Sequence, residues 1–147
     1  YDAVEDLPQF FAENFQTRTL LLGQSYGGWV ASQVGLRLEA ADAEFDLYSL
    51  DPISPATCYL GSFIFGSEGC RGFPDDLQER RRPENWGGYW VNYYQDQHSS
   101  LHSGHANRAD ENVRLTYDDP SRGGMFGAHN LIASDPRIWG RVAETLR

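Results

Sequence analysis

Lysine is absent from this chain: all twelve basic residues are arginines. Without a lysine amine there is no Schiff-base chemistry with PLP and no Walker-A phosphate loop. Positive charge is scarce altogether, with 21 acidic against 12 basic side chains among 147 residues and a formal net charge of −9. Nucleic-acid binding draws much of its affinity from a basic surface, so nucleic acid is not expected as a partner. No apolar run approaches the ~18 residues that suggest a membrane span, and no basic-then-apolar start marks a signal peptide. Methionine occurs once, at Met125, and the chain opens at Tyr1. A translated reading frame opens with methionine, so the sequence is expected to be processed, trimmed or cut from something longer, and its compartment is not legible. Cysteine is limited to Cys58 and Cys70. The pair forms one disulfide if the protein is exported, or stands as two thiols; a zinc site needs more ligands than these two.

Against these absences stand 40% hydrophobic and 14% aromatic residues, too many for a disordered chain. The chain therefore reads as one folded, soluble, acidic domain with a real core. Leu7, Phe10, Phe11 and Phe15 fall on one face of a first helix, with Asp6 as N-cap and Pro8 in its first turn. Thr17–Gly23 (TRTLLLG) has strand length and ends at glycine, and Val30, Val34 and Leu38 then repeat at helical spacing over Trp29–Leu38. A strand is expected at Phe45–Leu50, stopped by Asp51-Pro52. Residues 53–85 read as irregular, with the QERRRPE stretch on a short exposed helix.

Aromatic content predicts a strand at Tyr89–Gln95, followed by a polar loop and a strand at Asn112–Tyr117. A loop containing Gly123, Gly124, Gly127 and His129 leads to the last helix. That helix is capped by Asp135, opened by Pro136 and apolar along Ile138, Trp139, Val142 and Leu146. Strands alternating with helices predict an α/β architecture with a largely parallel sheet.

The sharpest motif is Gly23-Gln24-Ser25-Tyr26-Gly27-Gly28. A G-x-S-x-G pattern between a strand and a helix is a nucleophile elbow, a turn so tight that its neighbours must be small. It lifts the serine hydroxyl clear of the sheet at a helix N-terminus, where the dipole and N–H groups favour negative charge on a substrate oxygen. Out of that context the same letters make an ordinary glycine turn.

A serine hydroxyl needs a base, and the base needs an orienting acid. Asp51 ends the strand FDLYSL, and functional groups gather at the carboxyl ends of strands in open α/β sheets. Asp96 is the alternative acid because it ends a later strand, and Asp118 and Asp119 come third. Of four histidines, His129 is the candidate base, since the chain order Ser25, Asp51, His129 is the Ser…Asp…His order of this elbow class. His98, His102 and His105 would share one face if helical and could then ligate zinc. The serines and glycine between them read instead as a solvated loop, and no metal or other cofactor is expected.

With these residues in place the chain resembles the α/β-hydrolase superfamily, in particular its lipase-like and esterase-like members. LLLGQSYGGWVASQVGLRL resembles the elbow strand, serine turn and following helix. FDLYSLDPISP resembles the lipase strand whose terminal Asp-Pro supplies the triad acid, here 26 residues after the serine. NWGGYWVNYYQ and GAHNLIASDPRIW are similar to the tail of bacterial lipase-like hydrolases, where a late histidine completes the triad. The resemblance implies a partial α/β-hydrolase fold over residues 1–147, matching the C-terminal half of a complete member and lacking its N-terminal strands. It implies a serine hydrolase of small-molecule or lipid carboxylic esters using Ser25, His129 and Asp51, with the Tyr26 backbone N–H in the oxyanion hole. It implies as partner the N-terminal half of the same protein. Residues 53–85 would be a lid or crossover insertion, with 59–73 as an acyl-chain wall or a plain packed loop. Thioesterase and serine peptidase chemistry share this triad, and a non-catalytic module that keeps the elbow as architecture is the reading from another class.

Overall fold

The described residues of the computed structural model are 19–40, 43–53, 88–97 and 101–147. The expected first helix, both cysteines, the QERRRPE stretch, His98 and nearly all of the 53–85 segment lie outside them. Four strands form one sheet: β1 (Thr19–Gln24), β2 (Phe45–Leu50), β3 (Trp90–Tyr94) and β4 (Glu111–Arg114). They lie in chain order, β1-β2-β3-β4, and every pairing is parallel. Helix α1 (Tyr26–Ala40) follows β1, while α2 (Ala128–Leu131) and α3 (Pro136–Thr145) follow β4. The class is α/β, as the alternation of elements predicts.

Strand periodicity divides the core in two. Every residue of β2 is buried, so the strand is covered on both sides, as parallel strands between helices are. Phe45 and Leu47 point to the α1 side and pack with Leu38 and Trp90. Tyr48 and Leu50 point the other way and join Val91, Tyr93, Leu115 and the α3 residues Ile138 and Val142. Helix α1 approaches β2 closely because Gly35 has no side chain; a Cβ there would lie 2.9 Å from the Phe45 ring.

Several boundaries differ from the sequence expectation. Helix α1 starts at Tyr26, directly after the serine, and runs to Ala40. Strand β4 stops at Arg114, short of Tyr117. Leu115 still donates its N–H to Tyr94 O, but the Tyr117 N–H goes to the side chain of Gln97 instead of a strand partner. The glycine-rich loop before the last helix is mostly helical. A 3₁₀ segment spans Pro120–Phe126, broken at Gly124 (φ 69°), and α2 carries His129. Asp119 starts this segment by accepting the Ser121 N–H, with Pro120 at its first position. Helix α3 is capped by Asp135 and opened by Pro136 as predicted, yet only Ile138 and Val142 of its expected apolar face are buried. Trp139 and Leu146 are exposed, and the Trp139 indole N–H donates to Ala133 O at 2.8 Å.

Candidate active site

Ser25 sits in the one-residue turn between β1 and α1 with φ of 56°. A side chain other than that of Gly, Asn or Asp is uncommon in this left-handed region, and such strain persists only where the surroundings enforce it. Here they do so through the backbone. The Ser25 N–H donates to Leu50 O at 2.9 Å, and the Ser25 carbonyl accepts from Gly28 at 3.0 Å and from Ile53 at 3.0 Å. The glycine requirement of the turn is equally specific. A Cβ on Gly23 would lie 2.2 Å from Gly27 O, and one on Gly28 would lie 2.9 Å from Gly23 O and 3.2 Å from the Pro52 side chain. A Cβ on Gly27 would meet nothing within 4 Å. The motif's second structural glycine is thus Gly28.

Asp51 follows β2 and so lies beside the elbow at the same sheet edge, because Gln24 and Leu50 are register partners. It too has a left-handed backbone, with φ of 44°, and its N–H donates to Tyr93 O at 2.7 Å. The side chain is fully buried, at 0% exposure. A buried carboxylate must find donors, and Asp51 finds four. Oδ1 accepts the Ser103 N–H at 2.8 Å and the Ser103 hydroxyl at 2.6 Å. Oδ2 accepts from Gln95 Nε2 at 2.7 Å and lies 2.7 Å from His129 Nδ1. With both oxygens otherwise surrounded by donors, the His129 ring is assigned as the Nδ1–H tautomer.

His129 is buried on α2, and its carbonyl accepts from Gln24 Nε2 at 2.8 Å. The residue before the serine therefore holds the segment that carries the histidine. Ser25, Asp51 and His129, far apart in sequence, are joined at one sheet edge by these bonds. A direct Ser25–His129 hydrogen bond does not form among the described residues; the His129 ring bonds Asp51 through Nδ1. Tyr26 opens α1, so its N–H belongs to the first turn of that helix.

The alternative acids are elsewhere. Asp96 is exposed and bridges Arg114, whose guanidinium lies 2.7 Å from Oδ2. Asp118 is exposed, and Asp119 caps the 3₁₀ segment. His102 is half-buried and His105 exposed. Their loop is less solvated than its composition suggests, since Leu101, Ser103 and Ala106 are buried.

A buried polar ladder across three strands holds this loop in place. Trp90 Nε1 donates to Ser49 Oγ at 2.9 Å, and Ser49 Oγ donates to Asn92 Oδ1 at 2.9 Å. Asn92 Nδ2 then donates to Gly104 O at 2.8 Å and to Asn112 Oδ1 at 2.9 Å. Asn112 closes the set on Ala106, accepting its N–H at 2.8 Å and donating to its carbonyl at 3.0 Å. Ser49, Asn92 and Asn112 are register partners on neighbouring strands, so one straight row of polar side chains grips residues 104–106.

Sequence reasoning did not single out Gln95 or Ser103. Gln95 carried a signal, because it stands at the carboxyl end of β3 just as Asp51 stands at that of β2. Ser103 carried none, being one of several serines in a polar loop. No helix of the described residues is long and apolar enough to cross a membrane. Comparison with known proteins returned no significant match to a protein-family model, a curated protein or a solved structure.

Proposed function

We propose that this chain belongs to a serine hydrolase of carboxylic esters, built on part of an α/β-hydrolase fold, with Ser25 as nucleophile, His129 as base and Asp51 as its orienting acid. The observation that carries the reading is the buried Asp51–His129 pair, 2.7 Å apart, tied to the same sheet edge as a serine with a left-handed backbone. A parallel sheet with a strand–serine–helix turn supports the fold assignment.

The chemistry follows from which ring nitrogen is committed. Asp51 holds Nδ1–H, so Nε2 is the nitrogen that takes the Ser25 proton as Oγ attacks the ester carbonyl. The negative charge that develops on the carbonyl oxygen is met by the Tyr26 backbone N–H at the positive end of α1. His129 returns the proton to the departing alcohol, leaving an acyl group on Ser25. Water, deprotonated by the same imidazole, then releases the acid. Throughout, Asp51 remains an acceptor and stabilises the imidazolium.

Labelling the chain with a fluorophosphonate probe and mapping the modified residue tests this directly. Modification of Ser25, together with loss of p-nitrophenyl ester hydrolysis by several orders of magnitude in Ser25→Ala, is the expected result. Hydrolysis unchanged by Ser25→Ala would overturn the reading and leave the elbow as architecture.

A further inference from the structure

Asp51 is unusual in how its charge is met. Among the described residues no arginine touches it; its partners are a backbone N–H, a hydroxyl, a carboxamide and an imidazole. Both its oxygens are occupied twice, so the carboxylate plane is fixed and cannot turn away from His129. Gln95 can make its bond in one amide orientation only. Its Nε2 lies 2.7 Å from Asp51 Oδ2 and 2.6 Å from Leu101 O, two acceptors, while its Oε1 accepts the Gln97 N–H at 2.9 Å. A flipped amide would set oxygen against oxygen twice. Ser103 is held as firmly, between Leu101, which Gln95 grips, and Gly104 and Ala106, which the Asn92–Asn112 row grips.

We propose that Gln95 and Ser103 are positioning residues for His129, acting through Asp51, and that the histidine-bearing loop 101–106 serves to deliver Ser103 to the acid. The inference rests on the hydrolase reading for its consequence in catalysis but not for its test. Each donor to the carboxylate draws negative charge away from the oxygen that faces His129. Removing one leaves more charge there and favours the protonated imidazole. A clamp of this kind therefore sets the proton affinity of the base as well as its orientation. Asp51 is the charged group within hydrogen-bond distance of the ring among the described residues.

The experiment is a pH titration of the His129 imidazole by NMR in the intact chain, assigned by loss of its signals in His129→Gln. Ser103→Ala removes the hydroxyl donor and keeps the N–H; Ser103→Thr restores a hydroxyl. Gln95→Met keeps side-chain length and removes the donor to Oδ2. The expected result is a His129 midpoint above the wild-type one in Ser103→Ala and in Gln95→Met, with return toward wild type in Ser103→Thr. Where the chain hydrolyses esters, the acid limb of kcat/KM moves up in step and kcat falls about tenfold. Midpoints unmoved in both donor-removing variants, with only their melting temperatures lowered, would overturn the proposal and make the two residues structural. Failure of the hydrolase reading shows separately, as ester hydrolysis that Ser25→Ala leaves unchanged.

Discussion

Two buried carboxylates, one at the end of β2 and one at the start of α3, solve the same physical problem in opposite ways. Asp135 is 3% exposed, and its charge is compensated on the spot. It caps α3 through the Arg137 N–H at 2.9 Å, pairs with the Arg137 guanidinium and accepts the Tyr117 hydroxyl at 3.0 Å. The hydrogen bonds from the Arg137 side chain hold its carboxyl below the usual aspartate range. Burial, together with the neighbouring Asp135, pushes the Tyr117 hydroxyl well up, so the phenol stays a donor. Among the described residues Asp51 has no such cation. Neutral dipoles surround it, and the partner able to become positive is an imidazole that can give its charge up again. A structural acid commits its field to a fixed cation, whereas an acid in the role proposed for Asp51 keeps it for a proton that comes and goes.

The largest effect expected from breaking this contrast is at Asp51. In Asp51→Asn the left-handed backbone is tolerated, since asparagine also visits that region. The new NH₂ must face either the two Ser103 donors or the donors of Gln95 and His129. His129 escapes that clash by changing tautomer, which leaves the ring protonated on Nε2 and, on the proposed reading, removes the base. Ester hydrolysis is expected to fall by about four orders of magnitude, with a stability loss of about 1–3 kcal/mol from the misdirected donors. A kcat within tenfold of wild type would remove Asp51 from the proposed triad.

Asp135 is expected to show the inverse pattern, stability without chemistry. Asp135→Ala removes the α3 cap and leaves the half-buried Tyr117 hydroxyl without its acceptor. The expected cost is about 2 kcal/mol, or a melting temperature lower by roughly 5 °C for a chain of this size. Fluorophosphonate labelling of Ser25 at low temperature should be unchanged. The pH dependence has a definite sign. The folded carboxyl has the lower proton affinity, so the unfolded chain binds more protons between the two values, and stability rises with pH there. The contribution is complete above the ordinary aspartate range and disappears as pH falls through the depressed folded value. Asp135→Asn should therefore flatten part of the acid limb of the stability profile, measured by denaturant melts from pH 2 to pH 6.

How much of this was written in the sequence divides along a physical line. Strand β2 coincides with the expected Phe45–Leu50, because a short apolar run ending in Asp-Pro allows few other readings. The serine turn was legible from its glycines, although the close approaches that require them fall at Gly23 and Gly28 and leave Gly27, the pattern's own second glycine, with open space. The placing of Asp51 beside His129 follows from chain order and from the rule that functional groups collect at strand ends. Residues 120–134 were not legible as helices, since three glycines suggest loop, and the organising feature is one Asp119 cap before Pro120. Gln95, Ser103 and the Ser49–Asn92–Asn112 row were invisible for a different reason. Their roles exist only once three strands are in register, and no local spacing encodes which neighbour a carboxamide will meet. Trp139 and Leu146 carry an apolar stripe that the tertiary packing leaves in the open.

The smallest expected effect is at Asp96, and it sharpens the comparison most finely because Asp96 adjoins Gln95. Consecutive residues at a strand end point to opposite sides, so Gln95 turns inward to Asp51 while Asp96 turns out to solvent. Its bridge to Arg114 joins two side chains that are 45% and 56% exposed. Exposed pairs of this kind contribute little, because solvent screens the charges and two long side chains must be held still. Asp96→Asn should therefore change stability by about 0.5 kcal/mol at most and leave labelling of Ser25 as it was. The adjacent Gln95→Met should move the His129 titration. One residue of chain separates a position that touches the acid from one that does not, and equal effects at both would remove Gln95 from the groups that position Asp51.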